Sequence, residues 1–79
     1  MATSSGPLDR VVELVRAVGN LGELTADQDF YAAGFTSIRS LQLLLELEDA
    51  FGVTVPDDGR FPKARTARAV HALLEELGP

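Results

Sequence analysis

The chain has 79 residues, 46% of them apolar, which is enough for one small core and excludes a two-domain enzyme. Twelve acidic side chains stand against seven basic ones, and the net charge of −5 opposes binding to a nucleic-acid backbone or an anionic membrane. There is no cysteine, so disulfides, thiolate metal sites and a cysteine nucleophile are excluded, and stability must come from packing. No apolar run approaches the roughly 18 residues of a membrane span, and Met1 to Pro7 lacks the charged and hydrophobic parts of a secretory signal. A soluble, cytoplasmic protein, monomeric when alone, is expected. Packing in a domain this small leaves about 3–5 kcal/mol of net stability, too little to support a deep catalytic cleft as well. Function is therefore expected on the surface, without enzymatic activity and without a metal.

Residues 1–7 are small and polar and read as a flexible lead, with the domain proper over 8–78; Pro7 suits a first helical position, where its missing N–H would have no partner. Leu8, Val11, Val12, Val15 and Val18 form a helical stripe that ends at Gly19-Asn20. Asn20 to Thr36 has no sustained period and reads as a long loop pinned by Phe30 and Tyr31. So long a loop in so small a domain points to function. Ser37 to Phe51 is the strongest helical segment, rich in leucine and stopped by Gly52. Val53 to Val55 reads as an extended connector before Pro56. A short helical turn fits between Asp57 and Arg65, limited by Gly59 and Pro62. Thr66 then caps a last helix with Val70, Leu73, Leu74 and Leu77 on one face, ending at Gly78-Pro79. The expected fold is all-α: a bundle of three main helices and one short one, with a long loop between the first two.

Charge is unevenly spread. Residues 20–58 hold eight acids and one base, whereas residues 59–79 hold four bases and two acids. The acidic middle, which includes the second helix, is the natural meeting place for a basic partner.

On a wheel of 100° per residue with Ile38 at zero, Leu43, Leu47, Phe51 and Leu44 fall at about 140° to 240° and face a core. Leu41 and Leu45 fall at about 300° and 340° and make, with Ile38, a second apolar stripe. Arg39, Gln42, Glu46 and Asp49 lie on one side of that stripe and Glu48 on the other. An apolar stripe edged by acids is a docking surface unless the bundle wraps the helix on both sides. Ser37 falls beside this stripe at the head of the helix, with its hydroxyl accessible and the positive end of the helix dipole favouring a phosphate esterified nearby. The plainer alternative makes Thr36 or Ser37 an N-cap. Ser40, at about 200°, should face inward.

Asp29-Phe-Tyr-Ala-Ala-Gly34-Phe-Thr-Ser37-Ile38, followed by a leucine-rich helix, Glu48-Asp-Ala-Phe51-Gly and Val55-Pro56, resembles the acyl, peptidyl and aminoacyl carrier proteins over about residues 8–78. The resemblance implies a carrier-protein four-helix bundle in which the serine at the head of the second helix, here Ser37, is esterified with 4′-phosphopantetheine, whose thiol holds cargo as a thioester. It further implies a phosphopantetheinyl transferase, an ATP-dependent adenylating enzyme and an acyltransferase or synthase as partners, docking on Thr36, Ile38, Leu41, Leu45, Glu48 and Asp49. Many acyl carriers have Asp-Ser-Leu where this chain has Thr36-Ser37-Ile38, so an acidic neighbour is missing. The Tyr31-Ala-Ala-Gly34 lead and Gly34-x-x-Ser37-Ile38 are closer to peptidyl and stand-alone aminoacyl carriers, which implies an aminoacyl cargo in a specialised pathway of polyketide or nonribosomal peptide type.

Other chemistries fit less well. A Ser37, His71 and aspartate hydrolase lacks the G-x-S-x-G elbow, and His71 reads as a surface residue of the last helix. Asp27, Asp29, Asp57 and Asp58 lack the ligand spacing of an EF-hand and read as solvated or capping acids. The alternatives to an aminoacyl carrier are a fatty or polyketide acyl carrier and an unmodified helical docking domain that uses Ser37 as a cap.

Overall fold

A computed structural model describes residues 6–56 and 58–78. It contains helix α1 (Pro7–Gly19), a 3-10 turn (Ser37–Arg39), α2 (Ser40–Phe51), the single turn α3 (Arg60–Lys63) and α4 (Ala67–Leu77), and no strand among the described residues. The all-α reading with three main helices and one short one holds. Met1 to Ser5, which make up most of the expected lead, lie outside the described residues, as do Asp57 and Pro79. Pro7 is the first residue of α1.

α1 ends where Asn20 takes the left-handed conformation. Asn20 N–H donates to Ala17 O at 3.3 Å and Leu21 N–H to Arg16 O at 2.9 Å, which satisfies two carbonyls that the helix leaves unpaired. α2 stops at Gly52, also left-handed, and Thr66 Oγ1 accepts from Ala69 N–H at the start of α4. These are the stops and the cap that the sequence signals indicate. Residues 53–56 form a connector without regular structure.

α1 lies against both α4 and α2, and Val11, Val15, Leu43, Leu47, Val70 and Leu74 meet in the core they enclose. Phe51, expected there too, is only half-buried, because it is the last residue of α2 and borders an open cleft with Pro7 and His71. Leu44 is also half-buried, since α2 and the segment after it leave a second cleft on its side.

The loop at 20–36 contributes to the core and is tied to α4. Leu24, Phe30 and Phe35 are buried, and Phe30, Tyr31 and Phe35 form a cluster with ring centroids 5.0–5.5 Å apart. Its backbone is tied to the start of α4: Phe30 N–H donates to Arg65 O, and Arg68 N–H donates to Ala26 O, each at 2.9 Å.

Candidate functional site

The segment expected to be one helix from Ser37 onward divides in two. Ser37 to Arg39 form a 3-10 turn, closed by Arg39 N–H donating to Thr36 O at 3.0 Å, and α2 proper begins at Ser40. The reason is local: Ser40 N–H and Ser40 Oγ both donate to the Ser37 carbonyl, the hydroxyl at 2.6 Å, which favours the tighter i to i+3 pattern at this end. Ser40 is therefore half-buried and turned back on the chain.

Thr36 precedes the turn in extended conformation and makes no side-chain capping bond. Ser37 follows it, exposed, and among the described residues no hydrogen bond engages its hydroxyl. The result is a primary alcohol presented to solvent on a turn whose backbone is fixed. That suits the covalent attachment of a long group, which needs an accessible hydroxyl and room beyond it.

Ile38, Leu41 and Leu45 are 89%, 63% and 56% exposed, and they are the large hydrophobic residues that the fold leaves in solvent among those described. They descend one side of the turn and of α2 directly after Ser37, so the second apolar stripe is not covered by the bundle. Asp49 is exposed beyond them, as is Glu46. Glu48 is placed differently from the free rim charge expected of it: it is half-buried, and its Oε2 accepts from Val55 N–H at 2.8 Å. Leu41 and Leu44 also border a cleft of about 400 Å³ with Val55, Phe61 and Pro62.

Periodicity places Arg39 only on a polar arc, yet its Nη1 donates to Val18 O at 2.7 Å, at the C-terminal end of α1. No sequence signal marks this bond, because it joins residues 21 apart.

The competing chemistries separate in space. His71 is half-buried at the surface of α4: its side chain is 20% exposed and borders the open cleft lined by Phe51 and Val53, at the far end of α2 from Ser37. A 12-residue helix is about 18 Å long, so His71 is in no position to act on Ser37. Asp29 Oδ1 accepts from Tyr31 and Ala32 N–H, and its Oδ2 pairs with Arg65 at 2.8 Å. Asp27 is held by both Nε and Nη2 of Arg68, and Asp58 pairs with Arg60 at 2.9 Å. These arginines hold Asp27 and Asp29 below the usual carboxylate range, and the Arg60 backbone and guanidinium do the same for Asp58. Asp57 lies outside the described residues, and among the described residues no group of three or more His, Asp or Glu side chains is placed to hold a metal. Nor is any described helix long and apolar enough to cross a membrane.

A family model described as a phosphopantetheine attachment site matches residues 9–74, from the first turn of α1 to the last turn of α4. The match covers all four helices and the exposed serine turn. The chain is thus a member of the phosphopantetheine-attachment family, the carrier proteins that bear covalently bound 4′-phosphopantetheine.

Proposed function

We propose that Ser37 carries the phosphopantetheine arm and that the protein presents an aminoacyl thioester to biosynthetic enzymes. One observation carries the assignment of the residue: of the two serines within residues 9–74, Ser40 spends its hydroxyl on the Ser37 carbonyl, whereas Ser37 is exposed. When bound, the arm supplies a thiol that holds cargo as a thioester. The chain's own residues supply an accessible hydroxyl, a rigid turn beneath it and an apolar stripe beside it. Bond making and breaking on the cargo is left to partner enzymes: a transferase for the arm, an adenylating enzyme for loading, and an acyltransferase or synthase for use. Ile38, Leu41 and Leu45 form the docking face for them, Thr36 lies at its upper end and Asp49 at its rim.

The test is intact-mass measurement after incubation with a phosphopantetheinyl transferase and coenzyme A, followed by peptide mapping. The wild type should gain one phosphopantetheine on Ser37 and Ser37→Ala none. Modification that persists in Ser37→Ala would overturn the assignment. Cargo is read by offering the loaded protein amino acids with adenylating enzymes and, separately, acyl-coenzyme A donors with acyltransferases. An aminoacyl cargo is supported by the Tyr31-Ala-Ala-Gly34 and Ser37-Ile38 pattern. A fatty or polyketide acyl cargo is favoured instead by the apolar cleft at Leu41, Leu44 and Phe61, which could shelter a chain from water. Charging by long-chain acyl donors alone would decide for the second.

A further inference from the structure

The turn that bears Ser37 has little packing to hold it. Thr36, Ser37 and Ile38 all stand in solvent, Ile38 at 89% exposure, so hydrogen bonds must fix its pose. Three of these are internal, from Arg39 N–H to Thr36 O and from Ser40 N–H and Ser40 Oγ to Ser37 O. The fourth crosses the fold: Arg39 Nη1 donates to Val18 O at 2.7 Å. Val18 lies in the last turn of α1, where carbonyls have no partner within the helix and the negative end of its dipole favours a cation. A guanidinium on such an oxygen makes a short, charge-assisted bond. Arg39 makes no ion pair among the described residues, although the segment around it is acidic. Its charge is directed to the end of α1.

The geometry points to Arg39 as a positioning residue for the loading of Ser37. By tying the 3-10 turn to the C-terminal end of α1, the guanidinium sets where the Ser37 hydroxyl stands relative to the helices that a transferase must grip. This rests on the reading of Ser37 as the attachment residue. Small misplacement of a reacting group lowers rate steeply, by about a hundredfold for 1 Å, so a tether that never touches the transferred group can still control the reaction.

The experiment compares wild type, Arg39→Ala, Arg39→Gln and Ser37→Ala as full chains with a phosphopantetheinyl transferase and coenzyme A. Initial rates give kcat and KM, and amide hydrogen exchange follows Arg39 and Ser40. Arg39→Ala should lower kcat/KM by about tenfold or more and speed exchange at both amides, while thermal unfolding shows that the bundle persists. Arg39→Gln ends two bonds short of Nη1, so its amide cannot reach Val18 O, and it should show both losses with less of the side chain removed. Loading of Arg39→Ala at the wild-type rate would overturn the inference, as would equal impairment of both variants with native exchange, since the transferase would then be reading the charge itself. Should Arg39→Ala fail to fold, Arg39→Gln decides alone: faster exchange with slower loading supports the tether, and loading at the wild-type rate, or impaired loading with native exchange, sinks it. Absence of loading in the wild type, or loading of Ser37→Ala, would instead defeat the attachment reading on which the inference stands.

Discussion

A methyl group added at Gly19 would stand 2.5 Å from Cδ1 of Phe35 and 3.1 Å from Cγ of Leu21. Phe35 is buried and stacked edge-on against Phe30 and Tyr31, so its ring has little freedom to retreat. Gly19→Ala should therefore lower stability by about 1–3 kcal/mol, the usual range for overpacking, as measured by urea denaturation. A Gly-Asn pair after an apolar stripe is legible as a helix stop, but the second role of Gly19, as the floor beneath an aromatic ring 16 residues on, is not. Glu48 makes the same point with a charge. Its place on the wheel put it at the edge of the exposed stripe, and only the return of the chain at Val55 shows that it bonds a backbone N–H. Glu48→Ala should cost about 1–3 kcal/mol of stability by leaving that N–H unpaired, and should change partner affinity less than removal of Asp49 does.

At the scale of the element, α2 was the most legible part of the fold. Seven apolar residues between Ile38 and Phe51 cannot all enter one core, and the division of that set into Leu43 and Leu47 inside and Ile38, Leu41 and Leu45 outside follows from the 3.6-residue period. What periodicity did not disclose is the 3-10 start, because a hydroxyl that bonds back to a carbonyl three residues earlier leaves no apolar signature. Leu41→Glu with Leu45→Glu should leave helicity by circular dichroism intact, since both side chains are already in water, and should weaken docking of a loading enzyme at least tenfold, the loss expected when apolar residues at the centre of an interface are replaced. Asp49→Asn should act mainly on association rate and on its dependence on salt. Unchanged binding in a folded double mutant would show that partners dock elsewhere.

At the scale of the whole molecule, the loop was legible as long and aromatic, but its fastening was not, because the ion pairs that hold it span 36 and 41 residues. Asp29 with Arg65 and Asp27 with Arg68 fix it to the start of α4, and Arg65 also lies 4.7 Å over the Tyr31 ring. The arginines depress both carboxylates, so the folded state gives up its protons more readily than the unfolded chain does. The stability they contribute is present above the ordinary carboxylate range near 4 and is lost as pH falls through the lower folded values. Asp27→Asn with Asp29→Asn should accordingly be less stable near neutrality and show a shallower decline on acidification, with the two curves converging toward low pH. Thermal unfolding between pH 7 and pH 2 measures this, and parallel curves would remove these pairs from the acid response.

The anchoring of the loop to residues 65–68 also sets an order of events in time. During synthesis the serine turn emerges from the ribosome well before Arg65 and Arg68, so the backbone bonds from Phe30 to Arg65 and from Arg68 to Ala26 cannot form until α4 has begun to appear. Closing such a loop early has an entropic cost and no compensating contact. The pose of the loop that leads into the serine turn is thus set by residues made later than the turn itself, and it is complete only once the start of α4 has folded back.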